Sequence, residues 1–329
     1  MSKYPKPALT VDAVVLSGSG EAMEILVIRR GRAPFRDWLA FPGGFVDAFE
    51  LPFSAALREL KEETRLDLPP TRAIPLSLRA KKDRDPRGWT ISQPFLFWLP
   101  ESRYVRGCDD AREAQWVPLR ELPRLAFDHG AILCEALGCF WQPMPTAVAP
   151  LRTVGAFGVP EYFPHHPVFY GGTFDPWHLG HHACVSLCPN PQDVVVVPDA
   201  NPFKKGPSDR CYWSLFRELQ SAVADLGACV FPGFCGREQP NPTAQWVPYV
   251  TRESRSLLVG EDSFASFPDW FEAETLAASL DTLFVAPRHS KPKSLKRATT
   301  WLNAHGCQVA RLANHPYQEL SSTKLRENQ

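Results

Sequence analysis

Apolar positions recur along the chain with two different periods, and together they predict an α/β protein. Short apolar or alternating runs are typical of strands, and a 3.6-residue period predicts helices over 53–64 and 130–140. The strand-like runs are 11–17, 24–30, 75–80, 91–99, 167–170, 193–200, 256–260 and 282–287. Helical segments separate the strands of the later group, which predicts a parallel, doubly wound sheet there.

The placement of proline predicts two domains. A length of 329 residues favours two domains over one, and prolines are denser than average between 141 and 167, where six of the 33 lie and neither period persists. Such a composition is typical of an extended connector. We therefore predict a first domain over 1–142, a proline-rich linker over 143–166 and a second domain over 167–329.

Composition and charge limit the possible partners. Lys plus Arg equals Asp plus Glu at 36 each, and a nucleic-acid-binding protein usually carries a basic excess, so no nucleic-acid partner is expected. No run approaches eighteen apolar residues, and the first segment, MSKYPKPALT, lacks the apolar core of a signal peptide. We expect a cytoplasmic protein without membrane contact, and a homo-oligomer is compatible with the sequence.

Three carboxylates share one face of the predicted helix 53–64. Glu59, Glu62 and Glu63 stand at i, i+3 and i+4, away from an apolar stripe on the same helix. The stripe consists of Phe53, Leu57, Leu60 and Thr64. Carboxylates at this spacing repel one another unless a cation lies between them, and their oxygens suit Mg²⁺ or Mn²⁺. Taken by itself, this glutamate-rich segment is also compatible with an ordinary solvated helix surface.

The spacing around these glutamates resembles the signature of the Nudix hydrolases. The matching positions are Gly44, Glu50, Arg58, Glu59, Glu62 and Glu63. The resemblance implies an α/β/α sandwich that hydrolyses a nucleoside diphosphate linked to another group, with water activated by a metal. Carried over, Glu59, Glu62 and Glu63 would bind the metal, with Glu50 a weaker candidate. Glu62, Glu63 and Arg58 would be catalytic, Arg58 by orienting the carboxylates.

Two further segments bear on the substrate of this half. KKDRDPRGWTIS and LAFDHGAIL resemble a Nudix subgroup that includes ADP-ribose pyrophosphatases and their regulator relatives, and they match at Asp85, Arg87, Asp128 and His129. ADP-ribose is therefore the expected substrate, although DPRG is also an ordinary turn sequence. Arg65 replaces the family's helix-ending glycine. This departure favours the alternative that the domain is a non-hydrolytic ADP-ribose sensor.

The stretch GGTFDPWHLGHH carries the chemistry of the second half. Gly171–Gly172 follows a strand directly, so the backbone can approach a phosphate closely. Asp175 and Pro176 predict a helix start, as N-cap and first residue, with an anion site at its N-terminus. His178 and His181 stand about one turn apart near that end. We expect them to donate to phosphate; zinc ligation and plain surface histidines are the alternatives.

This stretch is also similar to the motif of bacterial nicotinate mononucleotide adenylyltransferases. PDANPFKK, LLVGEDSFASFPDWFEAETL and LSSTKLRE agree with later family segments in the same order, so the resemblance spans 168–327. Two positions depart: Phe203 replaces a histidine and Leu320 an isoleucine. The resemblance implies a Rossmann-like nucleotidyltransferase domain that transfers AMP from ATP to nicotinate or nicotinamide mononucleotide and releases pyrophosphate. Another phosphorylated acceptor is the alternative.

Site residues follow from this resemblance. The expected catalytic residues are His178, His181, Lys204 and Arg326. The expected nucleotide-binding residues are Gly171, Gly172, Thr173, Phe174, Gly260, Asp262, Trp270, Ser322 and Thr323. Trp270 is equally explained by core packing and Asp262 by a turn cap, and Mg²⁺ would arrive with ATP. The two halves together predict a bifunctional enzyme of NAD metabolism whose ligands are ATP, a pyridine mononucleotide and ADP-ribose.

Overall fold

The structure is a computed structural model that describes residues 5–70, 73–108, 111–141, 144–145, 156–160, 163–199, 211–288 and 292–327, without the side chains of Thr323 and Glu327. Contacts divide the chain into two compact units. The first comprises the described residues of 1–140, 147–157 and 207–214, and the second those of 141–146, 158–206 and 215–329. The domain boundaries given above stay a prediction.

The first unit is built on a mixed seven-stranded sheet. Its strands are β1 (Ala8–Ser17), β2 (Glu24–Arg30), β3 (Leu39–Ala40), β4 (Gly43–Phe45), β5 (Ala73–Pro75), β6 (Thr90–Leu99) and β7 (Ala111–Pro118), and its helices are α1 (Pro52–Thr64) and α2 (His129–Gly138). The order is β3-β2-β1-β6-β5, with β4 paired to β1 and β7 to β2. Only the long β1–β6 pair is parallel; the others are antiparallel.

Helix α1 covers the sheet with the stripe that its sequence predicts. Leu60 and Thr64 are fully buried, while Phe53 and Leu57 are partly buried at the edge of the core. The strand predicted over 75–80 continues past Pro75 only as an isolated bridge between Arg79 and Ser92 of β6, because the Ser77 N–H donates to the Glu135 carboxylate at 2.8 Å instead of pairing with a strand.

The second unit is built on a six-stranded, all-parallel sheet, as the sequence predicts. Its strands are β8 (Val168–Gly172), β9 (Val194–Pro198), β10 (Cys229–Val230), β11 (Ser256–Gly260), β12 (Thr282–Ala286) and β13 (Gln308–Arg311). The helices of this part are α3 (Leu179–Ser186), α4 (Tyr212–Val223), α5 (Glu261–Ala265), α6 (Ala273–Ala278), α7 (Pro292–Ala304) and α8 (Ser322–Glu327), of which α4 has its first three residues assigned to the first unit. No helix in the described ranges has the length and hydrophobicity needed to cross a membrane.

The strand order fixes where a ligand can bind in this sheet. The order is β10-β9-β8-β11-β12-β13, so the chain runs outward in one direction from β8 and in the other from β11. The carboxyl ends of two such strands form a crevice at the switch point, which is where open α/β sheets bind ligands. Gly172 and Gly260 end these two strands.

The predicted helix start at Asp175–Pro176 is wrong. Helix α3 begins at Leu179, and His178 is its N-cap, with its ring Nδ1 accepting the Gly180 N–H. The carbonyls of Asp175 and Pro176 are instead bound by side chains far along the chain, Arg326 and Ser322. These contacts hold the preceding segment as a turn.

Arg65 ends α1 in the conformation that a glycine would adopt there. Its φ is 63°, in the left-handed region, and its N–H donates to the Lys61 carbonyl at 3.0 Å. Its Nε also donates to the Cys108 sulfur at 3.2 Å. The helix end that the Nudix resemblance implies therefore forms without glycine.

We expect Arg65→Gly to stabilise the protein by about 1 kcal/mol, because glycine reaches positive φ without a steric cost. Chemical denaturation followed by far-UV circular dichroism would measure this difference. Arg65→Ala, which keeps the strained backbone and loses the Cys108 contact, should give no gain. A destabilised Arg65→Gly variant would contradict the prediction.

Candidate functional sites

A single guanidinium lies at the centre of the carboxylates in the first unit. Arg58 Nε and Nη2 donate to the two oxygens of Glu50 at 2.9 and 2.8 Å. Its Nη1 donates to Glu59 at 2.8 Å and to Glu62 at 3.1 Å, and Nη2 also reaches the Phe45 carbonyl. Arg58 therefore holds the loop before α1 and two glutamates of the helix in one arrangement.

Glu63 differs from the other glutamates because it is buried, at 6% exposure, against the start of β4. Its Oε2 accepts the Gly43 N–H at 2.9 Å. A Cβ on Gly44 would lie 2.4 Å from Glu59 Oε1, and one on Gly43 would lie 2.2 Å from the Val11 carbonyl oxygen. Gly44 thus lets β4 lie directly on Glu59, and Gly43 lets it lie directly on the backbone of β1.

The electrostatic environment of the carboxylates is not uniform. Hydrogen bonds from Arg58 and from the Asp47 N–H lower the pKa of Glu50 to about 2. Burial raises the pKa of Glu59, and Arg58 opposes that rise only in part. A desolvated carboxylate of this kind gains more from a nearby cation than an exposed one.

The glutamates line a cavity of about 370 Å³. Within the described ranges no three Asp, Glu, His or Cys side chains are placed so that they could hold a metal ion, since Arg58 and the Gly43 N–H bind the glutamate oxygens. The donor chemistry nevertheless fits a hard divalent cation: Glu59, Glu62 and Glu63 present oxygen ligands to one cavity, and burial disfavours the charge on Glu59.

A buried hydrogen-bond network forms another wall of this cavity. His129 Nδ1 accepts the Phe41 N–H at 3.0 Å, and its Nε2 lies 3.2 Å from Asp12 Oδ1. The Ser92 hydroxyl donates to Asp12 at 2.6 Å. Arg84 donates twice to Asp128, at 2.7 and 3.0 Å. Arg84 Nη2 also lies 3.8 Å from Asp12 Oδ2, so His129 and Asp128 belong to one network and both contact other protein groups.

Arg87 lies at the outer part of the cavity. It forms a bidentate pair with the buried Asp85 carboxylate, and its guanidinium lies 5.3 Å from the Phe45 ring centroid and 5.8 Å from that of Phe127. The four positions matched to the ADP-ribose subgroup are therefore ordered by side-chain contacts, and DPRG is more than a bare turn. The sequence analysis did not identify Asp12 as a site residue. Its one indication was the position of a single acidic residue inside an apolar strand.

In the second unit, His178 and His181 stack on each other at the switch point, with ring centroids 3.7 Å apart. His178 Nδ1 accepts the Gly180 N–H, while His178 Nε2 and His181 Nδ1 are buried without a protein hydrogen-bond partner. Burial lowers the pKa of both rings, with a further contribution from Arg288, and that of His181 falls to about 3. Both imidazoles are therefore neutral at pH 7 in the free protein.

Several predicted binding residues lie around this pair. Gly171 and Gly172 are the last two residues of β8 and Thr173 follows them, and Phe174 is buried with its ring 5.1 Å from that of His181. Asp262 is exposed beside Gly260, where a Cβ would lie 2.6 Å from the Asp262 carboxylate. His182 points elsewhere and pairs with Asp225 at 3.2 Å.

Trp270 shows the packing contacts that were its alternative explanation. Its ring stacks on Phe267 at 4.8 Å, its indole N–H donates to Ser266, and it lies against the core of the second unit. Ser322 and Arg326 bind the carbonyls of Pro176 and Asp175, so here they hold the turn before the histidines. Lys204 and the Thr323 side chain lie outside the described residues.

Arg288 is a residue of this site that sequence reasoning missed. It lies just beyond β12, its N–H donates to the buried Glu261 carboxylate at 3.0 Å, and its Nε would be 3.2 Å from a Cβ on Gly260. It is the cation that acts on both histidines. The available signal was its position at the carboxyl end of a strand next to the switch point.

The two sites define a protein with a hydrolase-type carboxylate cavity and a nucleotidyltransferase-type parallel sheet. The NUDIX domain family model matches residues 6–135. An ADP-ribose pyrophosphatase from Methanocaldococcus jannaschii is 40% identical over 130 residues, covering 40% of this chain and 73% of that protein. The chain belongs to the Nudix family.

Two other relatives show what each half is similar to. The ADPR-responsive transcriptional repressor NtrR of Acinetobacter baylyi is 33% identical over 139 residues, covering 41% of this chain and 55% of that protein. A probable nicotinate-nucleotide adenylyltransferase of Klebsiella pneumoniae is 26% identical over 183 residues, covering 48% of this chain and 83% of that protein. The predictions of an N-terminal Nudix domain and a C-terminal half homologous to mononucleotide adenylyltransferases are confirmed.

The Asp12 network predicts a specific acid sensitivity. Burial alone would raise the pKa of Asp12, but contacts with His129, Arg84 and Ser92 lower it to about 2, below the ordinary 3.8. A depressed carboxylate pKa stabilises the fold above pH 4, and this contribution, about 2 kcal/mol, is lost as pH falls towards 2.

Denaturant unfolding at pH 5 and at pH 2.5 would show this loss in the wild type. Asp12→Asn should be less stable than wild type at pH 5 and less sensitive to acid. Asp67→Asn, which removes an exposed carboxylate paired with Lys61, is the matched control and should keep the wild-type acid sensitivity. Equal acid sensitivity in all three proteins would contradict the prediction.

Proposed function

We propose that this protein is a bifunctional enzyme of NAD metabolism. Its first unit hydrolyses ADP-ribose, or a related nucleoside diphosphate derivative, to AMP and a sugar phosphate. Its second unit transfers AMP from ATP to nicotinate or nicotinamide mononucleotide and releases pyrophosphate. The observation that carries the proposal is that each unit lines its site with groups suited to nucleotide phosphates: carboxylates around Arg58, and buried neutral imidazoles at the switch point.

In the hydrolase reaction, water attacks one phosphorus of the pyrophosphate, the bridging P–O bond breaks, and the two phosphate esters leave. Glu59, Glu62 and Glu63 would hold Mg²⁺ or Mn²⁺, which neutralises phosphate charge and activates water. Arg58 keeps Glu59 and Glu62 in place, and the Gly43 N–H holds Glu63 against β4. Arg87, held by Asp85, supplies positive charge on the outer side of the cavity.

In the transferase reaction, a phosphate oxygen of the mononucleotide attacks the α-phosphorus of ATP, and the bond to the β-phosphate oxygen breaks. No covalent enzyme intermediate is needed, so catalysis consists of positioning and charge stabilisation. His178 and His181 carry the ring nitrogens that lack protein partners, and these face the phosphates. Arg288 adds a permanent charge, and Gly171–Gly172 permits a close backbone approach. Lys204 and Arg326 are proposed to neutralise the triphosphate, and Mg²⁺ comes with ATP.

One alternative for the first unit is a sensor that binds ADP-ribose without cleaving it. The similarity to an ADPR-responsive repressor favours this alternative. The complete set of glutamates and the left-handed end of α1 at Arg65 favour hydrolysis. For the second unit, a different phosphorylated acceptor is the alternative. Incubation of the intact protein with ADP-ribose, and with ATP plus a panel of acceptors, separates these possibilities.

Glu63→Gln should lower the turnover of ADP-ribose at least 100-fold, because the amide keeps an acceptor for the Gly43 N–H but loses the charge. Phosphate-ester release with Mg²⁺ or Mn²⁺ present is the measurement. Pyrophosphate release by the second unit should be unchanged and serves as the internal control. If the wild-type protein bound ADP-ribose without any turnover, the hydrolase assignment would be refuted and the sensor alternative supported.

His181→Ala should lower pyrophosphate release by about two orders of magnitude or more. His182→Ala is the matched control, because its ring pairs with Asp225 and should be dispensable. Since the pKa of His181 is about 3 in the free protein, wild-type kcat/KM should show no inflection from this residue between pH 5 and 8. Near-normal release by His181→Ala would contradict the role.

A further inference from the structure

A third histidine of the second unit has the same local geometry as His178. His315 Nδ1 accepts the Tyr317 N–H at 3.2 Å, just as His178 Nδ1 accepts the Gly180 N–H at 3.1 Å. In both cases the ring Nδ1 accepts the backbone N–H of the residue two positions later in the chain. The proton of each neutral ring is therefore on Nε2, which becomes a hydrogen-bond donor.

The donor atom of His315 has no acceptor within the protein. Its Nε2 is buried without a hydrogen-bond partner, as are His178 Nε2 and His181 Nδ1. These are the three histidine ring atoms among the buried side-chain nitrogens and oxygens of the described chain that lack a protein partner. An unsatisfied buried donor is unfavourable unless a ligand supplies the acceptor.

The segment that carries His315 packs on the helix that carries the other two histidines. A Cβ on Gly180 would lie 3.1 Å from the Tyr317 carbonyl oxygen and 3.0 Å from the His178 ring. The positive charge of Arg288 also acts on all three rings. His315 thus belongs to the same electrostatic environment as the stacked pair, although it comes from the loop before α8.

We propose that His315 is a third imidazole donor of the transferase site and contacts a phosphate of the nucleotide that supplies the AMP group. This inference rests on the proposed function of the second unit. An oligophosphate is the chemistry that fits, because it offers several anionic acceptors to donors from two segments and to the guanidinium of Arg288. A neutral donor serves this purpose without repelling Arg288.

Two variants distinguish the donor function of His315 Nε2 from the structural contact of His315 Nδ1 with the Tyr317 N–H. Asn at position 315 can place an acceptor near the Nδ1 position, so it keeps the Tyr317 contact but loses the outer donor. Gln can place an N–H near the Nε2 position. We expect His315→Asn to raise KM for ATP about 10- to 100-fold with little change in KM for the mononucleotide, and His315→Gln to recover part of the loss.

Equilibrium binding of inorganic tripolyphosphate by calorimetry tests His315 independently of turnover. Weaker binding by His315→Asn than by wild type would support the proposal even if no pyridine mononucleotide released pyrophosphate, an outcome that would refute only the proposed acceptor. Unchanged tripolyphosphate binding and unchanged KM for ATP in His315→Asn would overturn it. Equal loss of affinity for ATP and mononucleotide, without rescue by Gln, would also overturn it. Unchanged ADP-ribose hydrolysis monitors the integrity of the first unit.

Discussion

The arrangement of the first site depends on one ionic interaction, the contact of the Arg58 guanidinium with Glu50, Glu59 and Glu62. Without that charge, carboxylates this close would repel one another and the start of α1 would lose its hold on the preceding loop. The interaction is also why the glutamates can be held near a cavity before any ligand arrives. Glu63 extends the same organisation by binding the backbone at Gly43.

The phosphate site proposed for the second unit has a different electrostatic character. Its histidines are uncharged because burial and Arg288 lower the pKa of His178 and His181. Neutral N–H groups can surround a phosphate without mutual repulsion, so the permanent charge can come from arginines such as Arg288. One chain thus uses anionic groups suited to a cation in one site and neutral donors in the other.

Local patterns predicted the parts of the structure that depend on neighbouring residues. The runs at Glu24–Arg30 and Ser256–Gly260 match β2 and β11 residue for residue, and the helix spacing of Glu59, Glu62 and Glu63 predicted their common cavity. Strand β7 was missed because most of its residues are only partly buried and its polar and apolar residues do not alternate.

The errors and omissions arise where distant residues decide the outcome. The start of α3 depends on Ser322 and Arg326, which bind the carbonyls just before it. Asp12 acquires its role only when His129 and Ser92 reach it across the fold. No periodicity along the chain encodes such pairings, because hydrophobic spacing reports the faces of an element and not its tertiary partners.

The hydrogen bonds from Ser322 and Arg326 to the turn at Asp175–Pro176 have a consequence for synthesis of the protein. Ser322 and Arg326 follow their acceptors by 146 and 151 residues. At ribosomal rates of roughly 5–20 residues per second, the residues of the turn are synthesised roughly 7–30 s before Ser322 and Arg326. The nascent chain can assemble β8 and β9 during that interval, but the turn before His178 must wait until α8 has been translated.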